Sequence, residues 1–195
     1  MIRRFLLTIP ALLALAACGA GAPPPDETYY RLGVAPPNRV LDHPALPGTL
    51  EIDRVETEGV LSERAIAFQS GGDALQRYHY AFWTETPGLM LQDLLASRLR
   101  EVHAATAVVT PDLRAVPDWI LRAKLHRFEF RPQDHAVSVA LDVAVVGANN
   151  GVIRLQQSYD VQDAAGGDGP EAAAGAIGRA VSRILDRLVA DLAGS

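Results

Sequence analysis

Cys18 is the one thiol in a chain of 195 residues, so no internal disulfide, zinc ribbon, iron–sulfur cluster or C-x-x-C redox pair can be assembled from it. His43, His79, His103, His126 and His135 are scattered, and none falls in the H-x-x-x-H or H-E-x-x-H spacing that puts two imidazoles on one helical face for zinc. No G-x-S-x-G nucleophile turn occurs. Gly166-Gly167-Asp168-Gly169 lacks the Lys-Ser/Thr pair of a phosphate loop and reads as a linker. Carboxylates such as Asp53 and Glu56 read as solvated surface rather than as an acid/base pair. These residue types call for no catalytic residues, no metal and no cofactor, and the chain reads as a non-enzyme. One cluster stands out: Tyr78, Tyr80, Phe82 and Trp83 place four aromatics within six positions of a chain that has five Phe, five Tyr and two Trp. On a strand, Tyr78, Tyr80 and Phe82 share a face and Trp83 takes the other. Core filling is the ordinary reading of such a run. The alternative is an exposed partner-docking or lipid-contacting surface, because Tyr and Trp join a large apolar area to a polar rim.

Charge narrows the partners. The formal net charge is −5, and Lys124 is the sole lysine, with no run of cations to follow a phosphate backbone, so nucleic acid is not expected as a ligand. At the amino terminus Arg3 and Arg4 precede an apolar run over residues 5–17. As a helix this run would extend roughly 20 Å, against a hydrocarbon core of about 30 Å, which suits an export signal better than a spanning anchor. It ends in Leu15-Ala16-Ala17-Cys18, which resembles the bacterial lipobox. Small side chains at Ala16 and Ala17 admit an extended backbone to a narrow protease cleft, cleavage falls between Ala17 and Cys18, and the Cys18 thiol becomes the point of lipidation. Acyl burial of about 0.8 kcal/mol per CH₂ makes such an anchor stable. Gly19 in place of Asp after the cysteine, by resemblance to enteric lipoproteins, implies the periplasmic face of the outer membrane rather than retention at the inner one.

The elements follow from pattern. Residues 1–17 are read as signal peptide, 18–28 as lipidated cysteine with a Pro-rich tether, and 29–195 as one domain. Residues 28–34 have strand composition, and 35–48 are too proline-rich for anything but a loop. Residues 50–55 alternate as a second strand, and 65–71 with 74–83 flank Gly71-Gly72-Asp73 as a hairpin. Thr86 and Pro87 open a helix over 88–103, on which Leu91, Leu94, Leu95, Leu99 and Val102 hold helical spacing. Residues 107–110 form a short apolar run. Leu121, Ala123 and Leu125 have the opposite parity to Phe128 and Phe130, which predicts a bulge near Arg127. Two further alternating runs, over 137–145 and 153–161, complete a three-stranded meander. A helix from Pro170 onward carries an apolar stripe from Ile177 to Leu192. The fold class is therefore α+β: a single mixed, mostly antiparallel sheet with two helices packed on one face.

Tyr29-Tyr30-Arg31-Leu32, the 50–55 strand, Arg64-Ala65-Ile66, the spacing of Tyr78, Trp83 and Pro87, and then Leu91, Leu95 and Leu99 resemble the PqiC-like ABC-type transport auxiliary lipoproteins. The resemblance spans most of the chain from residue 28 on. It implies a fold similar to the N-terminal domain of TolB and a lipoprotein partner of an MCE-domain protein in an ABC-type or PqiA-like transporter moving lipid between inner and outer membranes. A homo-oligomer is compatible with it. A TolB-like regulator of the envelope or of peptidoglycan synthesis is the alternative.

Overall fold

The computed structural model describes residues 25–194; Ala17, Cys18 and the whole export segment lie outside the described residues. Eight strands make one mixed, curled sheet, with two helices on one face. The strands are β1 (Thr28–Tyr30), β2 (Leu46–Ile52), β3 (Ala65–Gly71), β4 (Ala74–Trp83), β5 (Ala105–Val109), β6 (Trp119–Arg131), β7 (Ala136–Gly147) and β8 (Ile153–Ala164), and the helices are α1 (Pro87–Glu101) and α2 (Pro170–Gly194).

The long strand β6 organises the sheet. One of its edges carries the antiparallel meander β6-β7-β8, paired from Trp119↔Gly147 to Arg131↔Ala136 and from Ala136↔Ala164 to Val146↔Ile153. The other edge carries two strands in succession, both parallel to β6: β2 through Leu50↔Trp119 to Ile52↔Leu121, and β3 through Ala67↔Glu129 and Phe68↔Phe130. Between them the chain stays on β6 through Asp53 N to Leu121 O and Leu125 N to Glu56 O, both 2.9 Å, then leaves in a short 3₁₀ turn at Gly59–Ser62. β2 and β3 are thus two lengths of one interrupted edge. β5 adds to the first branch, β4 and then β1 to the second, and the sheet forks. The β6 register slips between Leu125 and Arg127, at the point where the branches part. An extra residue there bends the strand and increases its local twist.

The slip also resets parity, so that Leu121, Ala123 and Leu125 before it and Phe128 and Phe130 after it all point into the core. Val137, Val139, Leu141, Val143 and Val145 on β7 join them, and α2 covers this face with Ile177, Val181, Ile184, Leu185, Leu188 and Leu192. α1 lies over β2 and β5 through Leu91, Leu95 and Leu99. Pro87 starts α1 as expected, whereas Thr86 supplies its carbonyl to Leu89 and Met90 and makes no side-chain cap bond. The opposite face of the meander is polar, with Lys124 on Glu58 at 2.6 Å and His126 on Asp142 at 2.7 Å.

Several boundaries differ from the sequence reading: the strand expected over 50–55 ends at Ile52 and the helix expected over 88–103 ends at Glu101. The proline-rich 35–48 segment is loop only to residue 45: β2 begins at Leu46 and takes in Pro47 and Gly48, where the register with β5 shifts and Gly48 adopts φ 91°. A bulge is where a sheet tolerates proline, since no ladder bond is asked of it. The apolar run after α1 is the edge strand β5, and the strand expected over 28–34 stops at Tyr30.

Candidate functional site

The described chain enters the sheet at β1, so the chemistry at this entry is set by three residues and their neighbours on β4. β1 runs parallel to the end of β4, Thr28 beside Ala81, Tyr29 beside Phe82 and Tyr30 beside Trp83. Alternation sends Ala81 and Trp83 inward, and Trp83 is fully buried, its indole 5.4 Å from the Phe128 ring. Trp83 is therefore core and is removed from the surface set that the sequence suggested. Phe82 turns outward and stacks on Tyr29 with centroids 5.6 Å apart. Tyr80 is exposed, and Tyr78, half-buried, leans on Phe68 at 4.7 Å. The register between β3 and β4 shifts between Ala65↔Phe82 and Ala67↔Arg77, so these aromatics do not form the single row that simple alternation predicts.

Arg64, just before β3, completes the group. Its guanidinium carbon lies 5.2 Å over the Tyr29 ring, and its Nε donates to the Trp83 carbonyl at 3.2 Å. A cation over an aromatic face gains from the ring quadrupole, and the carbonyl fixes the side chain in that pose. Tyr29 donates its hydroxyl to Glu27 at 2.5 Å, which holds its phenol above the ordinary tyrosine range, and burial does the same to Tyr78. Arg77 donates to both oxygens of Glu63, at 2.9 and 2.7 Å. These residues wall a hollow of about 440 Å³, and a second of about 350 Å³ opens between Asp26, Tyr30, Tyr80 and Pro170. The arrangement offers flat aromatic area, one positioned cation and paired charges, the components of a protein-binding surface. Among the described residues no three of His, Cys, Asp and Glu come together as a metal site.

The part played by Arg64 was not legible in the sequence, because the stack depends on β1 lying beside β4, a pairing between residues some fifty positions apart. The family model of the ABC-type transport auxiliary lipoprotein component matches residues 30–190, nearly the whole of this fold. The chain belongs to that family. Auxiliary lipoproteins of this family serve an ABC-type transport system and are held at a membrane of the cell envelope. Solved structures agree in fold. A protein of Xanthomonas campestris, XCC0632, superposes with a TM-score of 0.72 at 20% identity over 83% of this chain and 92% of that one. An uncharacterized protein superposes at 0.66 with 14% identity over 87% and 98%. No curated protein matches the sequence. Among the described residues no helix of the lipoprotein is long and apolar enough to cross a membrane.

Proposed function

We propose that this auxiliary lipoprotein is a non-catalytic adaptor, anchored through Cys18 on the periplasmic face of the outer membrane, that docks the MCE-domain protein of an ABC-type or PqiA-like transporter and supports lipid movement between the membranes. The family match supports the transport role, and the observation that carries the docking role is the aromatic edge at the sheet's point of entry. Tyr29, Tyr80 and Phe82 with Arg64 present rigid side chains that lose little rotamer freedom when a partner covers them. The edge begins ten residues after Cys18, and an extended stretch of that length reaches at most about 35 Å. The dock then lies within about 35 Å of the anchor along the chain. The reading is tested by capture of a purified periplasmic MCE-domain protein on the full-length lipoprotein. Changing the exposed Tyr80 to Ser, together with Tyr29→Phe, which keeps the ring stacked on Phe82 and under Arg64, lowers affinity with the fold retained, and changing Tyr29, Tyr80 and Phe82 together to Ser lowers it at least tenfold with a modest fall in thermal midpoint. Undiminished capture by the triple variant would reject the aromatic edge as the dock, and no capture by the wild type would reject the adaptor role.

A further inference from the structure

A hollow of about 320 Å³ opens on the helix-free face, where the β3–β4 hairpin approaches the downstream half of β6. Its floor is a row across three strands: Glu129 on β6 sits opposite Ser138 on β7, and Ser138 opposite Gln162 on β8. Because the slip at His126 turns Phe128 and Phe130 into the core, Glu129 must point to this face, yet it is only 6% exposed and Ser138 only 1%. The Ser138 hydroxyl has no hydrogen-bond partner among the described residues. Among the described residues the Glu129 carboxylate accepts a long 3.4 Å bond from the Phe128 N–H, and burial raises its pKa against the opposing pull of that bond and of Arg127 and Arg131. Buried polar groups are otherwise met in folded proteins, so an unmet hydroxyl beside an under-bonded carboxyl in the floor of a hollow points to a ligand.

The rim tells what kind. Arg127 is paired with Asp160 and Arg131 with Asp134, so each guanidinium has its own carboxylate, and the His126 ring is hydrogen-bonded to Asp142. A free anion would face Glu129 and Asp73, and a free cation would face Arg127 and Arg131, so neither gains. What the walls offer instead is planar end groups with two hydrogen-bonding atoms side by side, Gln162, Glu129 and the Arg127 guanidinium, with Leu75 as the apolar member and Gln69 held in the wall by its own bonds to Arg131 and to the Gly72 carbonyl. Two adjacent hydroxyls, each donor and acceptor, match such ends. The volume lies at the small end of ligand sites, which start near roughly 300 Å³. We infer that this hollow binds a neutral polyhydroxyl group, a single pyranose ring, with the Ser138 hydroxyl and the Glu129 carboxyl as its buried partners. A free sugar and the headgroup of a glycolipid share this chemistry.

Saturation-transfer NMR on the full-length protein in a sugar-free zwitterionic detergent tests it with D-glucose as the probe. Transfer to the ring protons is expected at about 10 mM sugar, a concentration suited to millimolar affinity. Ser138→Ala removes a hydroxyl that no other described residue uses, so its thermal midpoint stays level or rises while glucose affinity falls at least tenfold. Gln162→Ala, at an exposed position, gives the same loss with the fold intact. Lipid nanodiscs carrying monoglucosyl diacylglycerol, but not plain phosphatidylglycerol discs, displace the glucose if the sugar belongs to a headgroup; no displacement by either assigns the site to free sugar. Absence of transfer to glucose, or equal transfer in the wild type and both variants, overturns the inference.

Discussion

Arg98 is the most deeply buried cation of the described fold, with 3% of its side chain exposed, and it joins three parts of the chain. From α1 its guanidinium reaches Asp186 on α2 at 2.9 Å and the carbonyl of Ala35 in the loop after β1. Removing one partner of a buried pair costs about 3–5 kcal/mol. Asp186 keeps 27% of its side chain in water and is partly rehydrated, which places Arg98→Met near the lower figure. Urea unfolding is expected to show a loss of about 3 kcal/mol at unchanged m-value. Glu129 has the opposite sign. Its carboxyl is raised by burial, so below the ordinary glutamate value of about 4.3 folded and unfolded chains both hold the proton. As pH rises from there the unfolded chain releases it first, binds fewer protons than the folded chain, and stability falls until the folded carboxyl has also ionised. Glu129→Gln keeps the shape and cannot ionise. It is expected to be more stable than wild type at pH 7, by about 1 kcal/mol, with the gap closing towards pH 4 in parallel denaturation series.

Elements meet through backbone as well as side chains, and Gly178 on α2 shows how closely. A Cβ added there would lie 2.1 Å from the carbonyl oxygen of Gly33, in the segment that leaves β1. One turn on, Ser182 accepts from the Ala35 N–H at 2.9 Å and donates back to the Gly178 carbonyl at 2.8 Å, strapping the loop to the helix. Gly→Ala normally favours a helix by up to about 1 kcal/mol. Here the close approach reverses that, and Gly178→Ala is expected to lower stability by about 2 kcal/mol in calorimetry, within the usual range for overpacking. A neutral or positive effect would mean the loop does not sit on α2. The same contrast governs what could be read in advance. The β3–β4 hairpin, the β6-β7-β8 meander, the bulge on β6 and both helices were legible because each is written in local period or in turn residues such as Gly71-Gly72-Asp73. The parallel pairings that fork the sheet were not, since β2 and β3 meet β6 across long separations and nothing in Leu50 or Ala67 names its partner. The site divides in the same way. The aromatic run was visible, but which of its rings face out, the stacking of Tyr29 and Arg64, and the burial of Glu129 all depend on how the branches curl.

At the scale of the whole molecule the question is what holds the domain at its membrane. Under the proposed cleavage before Cys18, Arg3 and Arg4 are lost and the formal charge goes from −5 to −7, so an anionic leaflet would repel the exported body rather than attract it. Among the described residues no helix is suited to crossing a bilayer, and the exposed aromatics Tyr29 and Tyr80 are too few to bind lipid alone when a single acyl chain already gives only marginal, reversible attachment. The proposed anchor is therefore an acyl group on Cys18, the sole thiol of the chain. Cys18→Ser is expected to abolish palmitate labelling of the expressed protein. The uncleaved chain keeps its signal at the inner membrane, so a second variant, with the leader replaced by one that ordinary signal peptidase cuts, isolates the effect of lipid. That unlipidated domain, folded and still able to capture the transporter partner in solution, is expected in the soluble periplasmic extract. Its persistence on the outer membrane would show that protein contacts, not acyl chains, fix it there, and the aromatic edge would then have to account for residence as well as for docking.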